Sequence, residues 1–272
     1  MSPASPEVSV VVVAWRARAD VLRCLEALEQ DAGLPYEAIV VDDGSGDGTA
    51  DAVRASFPAA TVLAKPDNEG LVRGRNSALP LIRGRHVLML DADTVVRPGA
   101  LPALVAALRS PTVGLAAPKL LNEDGSVQLS CRRYPPLLVP LLRRGPLARL
   151  FPNPASHRRH LMMDFDHAQA RPVVWAAGAA QMWRADLPQR IGEYDDRLSS
   201  YGGEDLDWCL RVWRAGAEVW YVPDAEIVHR WQKLTNQSPF SRKSFRALRD
   251  WYYLQWKHRQ LRADPRLGKA NL

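Results

Sequence analysis

The residues best placed to do chemistry are carboxylates gathered at three stations. The first is Asp91-Ala92-Asp93, which closes the apolar run that starts at His86 in HVLMLDADTVV. Two carboxylates directly after a buried strand are costly to bury unless they are paired or meet a cation. Alternation along extended backbone puts Asp91 and Asp93 on one side and Ala92 on the other. Two hard oxygen ligands facing one spot suit Mg²⁺ or Mn²⁺, with diphosphate oxygens completing the shell. The plainer alternative is that the triplet caps the following turn. The second station is DDGSGDGT, residues 42–49. An aspartate pair at the end of a strand can accept hydrogen bonds from a pyrimidine N–H or from ribose hydroxyls. An ordinary Asp-Gly turn is the alternative there. The third is Gly203-Glu204-Asp205-Leu206-Asp207-Trp208. Its two glycines open the approach to a helix N-terminus, whose dipole stabilises carboxylates, so simple helix capping stays open.

These stations need a frame, and the first hundred residues supply one by alternating strand and helix. Val8–Trp15 is a β-branched run and reads as a buried strand. A helix follows from Asp20, with Val21, Leu25 and Leu28 at helical spacing. Ala38–Val41 and Thr61–Ala64 are the next strands, separated by a helix from about Ala50. Arg73–Leu81 reads as a helix and His86–Leu90 as the fourth strand. Short loops between such elements predict a parallel, right-handed α/β sheet with its ligand edge at the strand C-termini. Beyond it, Leu101–Leu108 reads as a helix and Val113–Pro118 as a strand. Residues 121–171 carry many prolines, basic pairs and the apolar knots Leu137–Leu142 and Leu147–Phe151, and read as a loop-rich insertion. Order returns with a strand at Val173–Ala177, a helix over Asp205–Ala215, a strand at Glu218–Val222 and a turn or strand end at Ile227–His229. The tail, Ser241–Arg262, reads as a helix with Phe245, Leu248, Tyr252 and Trp256 on one face and basic residues around it.

Composition narrows the function classes. The 272 residues are enough for one large domain or a domain with an appendage, and 47% are hydrophobic. No apolar run approaches the roughly 18–20 residues of a membrane span. The N-terminus lacks a basic region ahead of its apolar run, so it does not read as a secretory signal. Three scattered cysteines, Cys24, Cys131 and Cys209, argue against a disulfide framework or zinc site and for a reducing, cytoplasmic compartment. A net charge of +6 and a pI near 9.4 suit a polyanionic partner such as a nucleotide diphosphate or an anionic lipid. The aromatics follow no nucleic-acid module, and no nucleic-acid partner is expected. A dinucleotide fingerprint would need glycines after the first strand, where the chain reads Ala14-Trp15-Arg16-Ala17, and there is no Walker lysine motif.

The order VSVVVVAW, VVDDGSGDGT, NEGLVRGRN, VLMLDAD, GGEDLDWCLR resembles the family 2 glycosyltransferases of GT-A fold, in their rhamnosyltransferase-like branch. The resemblance covers about Val8–Arg230 and is weakest over 121–171. It implies a mostly parallel central sheet with flanking helices, in a domain of residues 1–240. Residues 1–118 would form a nucleotide-binding half and 172–240 an acceptor half, with 241–272 a basic amphipathic helix and tail. It further implies that Asp43 contacts the base, with Ala14, Trp15, Arg16, Asn68 and Gly70 completing the pocket. Arg75 would lie near base or diphosphate, or else be a helix-surface arginine. Asp91 would hold the ribose, Ala92 sit between, and Asp93 with His229 bind Mg²⁺ or Mn²⁺. Gly178 and Ala179 would admit the donor sugar. Trp183 would offer a stacking face or simply pack its strand. Asp205 would be the general base, with Asp207 the alternative, and Glu204 would position acceptor or loop; Arg211 would pair with Asp207.

The activity so implied is metal-dependent, inverting transfer of a sugar, rhamnose being one candidate, from a nucleotide-diphosphate donor to a hydroxyl of a glycan or lipid-linked acceptor. A polyprenyl-phosphate sugar synthase and a non-catalytic nucleotide-sugar binder are the alternatives. The basic, aromatic tail and Arg143, Arg144 and Arg149 suggest peripheral attachment to an anionic membrane face, or a merely solvated surface.

Overall fold

The computed structural model describes residues 5–30, 33–134, 155–198, 203–230 and 242–270. The apolar knots at 137–142 and 147–151, with their arginines, lie outside these residues.

Eleven strands and nine α-helices are described. The strands are β1 (Val8–Ala14), β2 (Tyr36–Asp42), β3 (Thr61–Ala64), β4 (His86–Asp91), β5 (Thr94–Val96), β6 (Val113–Leu121), β7 (Cys131–Arg132), β8 (Arg171–Pro172), β9 (Trp175–Ala176), β10 (Ala180–Arg184) and β11 (Glu218–His229). The helices are α1 (Arg18–Gln30), α2 (Thr49–Ser56), α3 (Leu71–Ala78), α4 (Ala100–Leu108), α5 (Ala155–His160), α6 (Leu187–Ile191), α7 (Glu204–Arg214), α8 (Arg242–Lys257) and α9 (Pro265–Ala270).

The main sheet runs β3-β2-β1-β4-β10-β6-β11-β5, with β8 beside β11. It is mixed. The strands β3, β2, β1 and β4 are parallel, as are β6 and β11, whereas β10 is antiparallel to both its neighbours and β5 and β8 are antiparallel to β11. The parallel order expected of the first hundred residues is present in β3-β2-β1-β4, and β6 with β11 adds a second parallel pair. Strand β10 falls in the Gly178–Arg184 segment that propensity left without a strand, and Ile227–His229 continues one twelve-residue strand rather than forming a turn.

Alternation sorts the strand side chains into two cores. Val8, Val10 and Val12 pack with Val21, Leu25, Leu28, Leu101 and Leu104 from α1 and α4. Val11 and Val13 pack on the other face with Val72, Leu206, Leu210 and Trp213 from α3 and α7. A strand buried on both faces is apolar except where a polar group is paired: β1 is buried at all seven positions, and its one hydroxyl, Ser9 Oγ, donates to Glu37 Oε1 at 2.6 Å.

Two features of this frame place the site. Strands β1, β2 and β4 end side by side, because Ala14 pairs with Asp42 and Val13 with Asp91. The β5–β11 pairing sets Thr94 opposite His229, which brings the segment after Asp91 up to the end of β11.

Candidate active site

At the end of β4, Asp91 is wired to the rest of the site by Arg75, which is 1% exposed. Its Nη2 donates to Asp91 Oδ1 at 3.0 Å and to the Gly178 carbonyl at 2.9 Å, and Nη1 stands 3.8 Å from Glu204 Oε1. The guanidinium also lies over the Tyr194 ring, 5.6 Å from its centroid. The neighbouring Asn76 holds Tyr194 in place through both backbone groups, and the Tyr194 ring stacks on Trp208 of α7 at 4.0 Å. Arg75 is thus an interior residue, and the helix-surface alternative is excluded.

One ligand atom each from Asp91, Asp93 and His229 lie within 4.8 Å of one another, the one such group of three among the described residues. Asp93 Oδ1 is 3.5 Å from His229 Nε2. The other imidazole nitrogen, Nδ1, faces Gln128 Oε1 at 3.0 Å, while Gln128 Nε2 donates to the His229 carbonyl at 2.6 Å and to Asn122 Oδ1 at 2.8 Å. Two carbonyl acceptors fix which way the amide points, so Oε1 takes a proton from Nδ1. That tautomer leaves the Nε2 lone pair aimed at the carboxylates. Burial disfavours charge on His229, but Asp93 and Asp91 outweigh it and hold its pKa above the usual value. Asp91 is raised, chiefly by burial, against the pull of Arg75. Two carboxylate oxygens and an imidazole in one spot fit a hard or borderline divalent cation, and the local excess of negative charge calls for one.

The third station sits across Gly178. Asp205 Oδ2 accepts from the Gly178 N–H at 3.0 Å, and Oδ1 accepts from Leu206 N–H at 2.7 Å. A Cβ on Gly178 would come 3.1 Å from Asp205 Cβ and 3.2 Å from Arg75 Nη1, so the glycine is there for close approach. Glu204 and Asp205 are both buried. Burial, then the Asp205 charge, pushes the Glu204 carboxyl up to about 7, although Arg75 pulls it down. The Asp205 carboxyl is raised as well, first by burial. Asp207 faces elsewhere. It is fully buried and bound by Arg211 Nε at 2.8 Å, Lys257 Nζ at 2.8 Å and His258 Nε2 at 2.7 Å. The expected Arg211 partnership is present, and a saturated interior anion leaves Asp207 no room to act as the base.

At the end of β2, the two aspartates divide their work. Asp42 accepts from the Ser45 and Ala50 N–H groups and so starts α2. Asp43, 2% exposed, accepts from the Glu69 and Gly70 N–H groups at 3.2 and 2.7 Å and pairs with Lys65 Nζ at 3.2 Å. The Asp67–Asn68 backbone crosses Gly44 so closely that a Cβ there would lie 2.3 Å from the Asp67 carbonyl carbon. The segment holding Asn68 and Gly70 is therefore pinned to the loop after β2. Ala14 O accepts from Asp43 N–H, and Arg16 N–H donates to Ser45 Oγ. Trp15, 51% exposed, and Arg16 (φ 51°) project from this turn, with the guanidinium over the indole at 5.0 Å. Ala92 is buried.

Of the two readings of Trp183, the structure favours packing. Trp183 has no exposed surface and packs on Trp208 at 5.3 Å, so it fills the core rather than facing a ligand. On α8 the apolar face is turned out: Tyr252 and Trp256 are exposed, while Asp250, Leu254 and His258 are buried. Sequence reading also passed over Lys65, Gln128 and Tyr194. Each acts through a partner distant in the chain, and the only local signal was a lone polar or aromatic residue in a loop.

A mixed sheet with carboxylates at the ends of β2 and β4 and at the start of α7 defines a glycosyltransferase of GT-A fold. The chain belongs to the glycosyltransferase like family 2, whose model matches residues 6–253. It is 27% identical over 263 residues to the N-acetylglucosaminyl-diphospho-decaprenol L-rhamnosyltransferase of Mycobacterium tuberculosis, covering 92% of this chain and 84% of that protein. The pre-mycofactocin glycosyltransferase of the same organism is 28% identical over 84% of this chain and 43% of its own length. Among solved structures, GalNAc-T7 with UDP, GalNAc and Mn²⁺ matches with a TM-score of 0.67 at 16% identity, over 93% of this chain and 48% of that one. The Pyrobaculum calidifontis mannosyltransferase with GDP-Man and Mn²⁺ matches at 0.56 and 21%, over 85% and 59% of the two chains. This chain spans only about half to three-fifths of those two structures.

Proposed function

We propose that this glycosyltransferase moves a sugar from a nucleotide-diphosphate donor to a hydroxyl acceptor in one inverting displacement that requires a divalent metal. The observation that carries the reading is the Arg75 bridge. It joins Asp91 of the cation station to Gly178, and Gly178 in turn bonds Asp205.

A sugar hydroxyl is a poor nucleophile and must lose its proton as it attacks the anomeric carbon. Asp205 takes that proton. Burial raises its carboxyl, which suits it to hold one. The new C–O bond forms as the bond to the diphosphate breaks on the opposite face, so one carboxylate suffices and no covalent sugar intermediate is needed. Glu204, beside Arg75, orients the acceptor or its loop. Asp93 and His229 would hold Mg²⁺ or Mn²⁺, which would supply neutralisation of the charge that grows on the leaving diphosphate. Asp91 holds the ribose. Asp43 takes the base with the lone pairs that its backbone partners leave free, and Ala14–Arg16, Asn68 and Gly70 line the pocket.

The name of the mycobacterial relative supports rhamnose as the sugar and a lipid-linked glycan as the acceptor. Among the described residues no helix is long and apolar enough to cross a membrane. A phosphate acceptor, as in polyprenyl-phosphate sugar synthesis, would need no base, and the buried Asp205 at Gly178 favours the hydroxyl.

The test is a thermal-shift screen of nucleotide diphosphates and nucleotide sugars, with Mn²⁺ and with chelator. A ligand at a hundredfold its Kd adds about 2.7 kcal/mol, enough to raise Tm by several degrees. A metal-dependent shift with one nucleotide, followed by turnover of its sugar, is the expected result. No shift with any nucleotide, with or without metal, overturns the reading.

A further inference from the structure

Helix α8 has two unlike faces. Its inner face carries Asp250, Leu254 and His258, all buried, and Leu254 lies against Gly203 at the start of α7. Its outer face carries a stripe of Arg246, Arg249, Tyr252 and Trp256, extended one turn further by Arg259. Tyr252 is 47% exposed and Trp256 64%, the latter the most exposed large hydrophobic residue among those described. The Arg259 guanidinium sits over the Trp256 ring at 5.4 Å, and the Arg249 side chain is 63% exposed. The one acid of the helix, Asp250, is buried and pairs with Arg249 at 2.7 Å, so the stripe's charge outside that pair, Arg246 and Arg259, is positive.

From this we infer that the outer face of α8 docks the enzyme on an anionic lipid surface, with Tyr252 and Trp256 entering the headgroup layer and Arg246 and Arg259 meeting lipid phosphates. A phenol and an indole one turn apart offer an apolar body with a polar tip, which suits the boundary between headgroups and acyl chains. Arginines flanking them keep their heads in the polar layer while their stems cover apolar surface. Arg249 is held by Asp250 at 2.7 Å, so Arg246 and Arg259 supply the attraction to anionic headgroups, and none to neutral ones. The lipid surface gives the lipid-linked acceptor proposed above a place to be presented, and for that purpose the inference rests on that reading. The docking itself rests on α8 alone.

Co-sedimentation of the full chain with vesicles tests it. Phosphatidylcholine alone is compared with phosphatidylcholine containing phosphatidylglycerol, each at low and high salt. The wild type is expected to pellet with the anionic vesicles only, and less so at high salt. Tyr252→Ser/Trp256→Ser should stay in the supernatant, and Arg246→Gln/Arg259→Gln should lose about fivefold in partitioning per arginine. Both variants should melt like the wild type, and if the double aromatic variant does not, Trp256→Gln alone replaces it. A wild type that stays in solution with anionic vesicles overturns the inference and leaves the stripe to a protein partner. An aromatic variant that pellets as well as the wild type also overturns it. The nucleotide- and metal-dependent thermal shift is read without lipid, so its failure counts against the proposed reaction and not against docking.

Discussion

Asp205 and Asp207 leave α7 towards different partners: Asp205 accepts from the Gly178 N–H at 3.0 Å, and Asp207 is closed in by His258 at 2.7 Å. One helix turn therefore serves the reaction on one side and the attachment of α8 on the other. Asp205→Asn keeps the size and one acceptor oxygen but cannot take a proton. Turnover is expected to fall by about 10²–10⁴-fold, with donor affinity nearly unchanged. Initial rates and nucleotide thermal shifts check this together. A variant that keeps its activity on a hydroxyl acceptor removes Asp205 as the base, and one active only on a lipid phosphate points to the synthase alternative.

The Glu204–Asp205 pair should show in the pH profile. Both carboxyls are raised by burial, and each negative charge makes the other harder to form. The proposed base works deprotonated, so kcat should rise with pH, with its acid limb above the ordinary carboxylate range. The apparent value belongs to the pair. Glu204→Gln removes the repulsion and should move that limb to lower pH. An unmoved limb would mean that the titrating group is not Asp205.

Gly178 has no spare room. An added Cβ would press on Asp205 and Arg75 at 3.1 and 3.2 Å. Gly178→Ala is expected to cost about 1–3 kcal/mol of packing. Steady-state kinetics with a melting curve should show kcat reduced about tenfold or more and Tm lowered by several degrees. A normal kcat would show that the Arg75–Gly178–Asp205 chain tolerates displacement.

Gln128 touches His229 twice and holds its tautomer. Gln128→Leu removes both contacts without replacing either proposed cation ligand. Apparent Mn²⁺ affinity should fall by about 10–100-fold, read by Mn²⁺ titration of nucleotide binding. Equal affinity in the two proteins would mean that His229 needs no support or is not a ligand.

Asp207 should govern acid stability. Burial opposes its charge, but His258, Arg211 and Lys257 outweigh burial and hold its pKa below the usual range. Such a carboxylate contributes stability above its unfolded value, about 3.9, and loses it as pH falls through the folded one. Asp207→Asn should cost about 3–5 kcal/mol at neutral pH, and its stability should fall less steeply than that of the wild type below about pH 4. Urea titrations across that range give both numbers, and parallel curves would rule Asp207 out.

Much of this was legible in residue types. Strands β1, β2 and β4 are buried on both faces and so announce themselves as apolar runs, and carboxylates at their ends are conspicuous because burying them is expensive. Strand β10 was not legible: AQMWR has no β-branched residue, and pairing with β4 and β6 makes it a strand. Helical spacing put Tyr252 and Trp256 of α8 on one face without saying which way that face turns; Lys257 and His258 bind Asp207 on the opposite side, and those buried polar contacts decide it. Lys65 and Gln128 were invisible because a loop residue shows its purpose only once its partner has been folded against it.

The place of β10 bears on how the enzyme is born. Synthesis reaches β4 early, yet one of its edges waits for β10, and Asp91 N–H waits for the Ala179 carbonyl. At cellular translation speeds of about 5–20 residues per second, roughly five to twenty seconds separate Asp91 from the end of β10 at Arg184. Throughout that interval a nascent chain offers an apolar strand edge, Leu88 to Leu90, ready to pair with any passing strand. The nucleotide half is then the part of this protein most in need of a chaperone, and expressed alone it should aggregate.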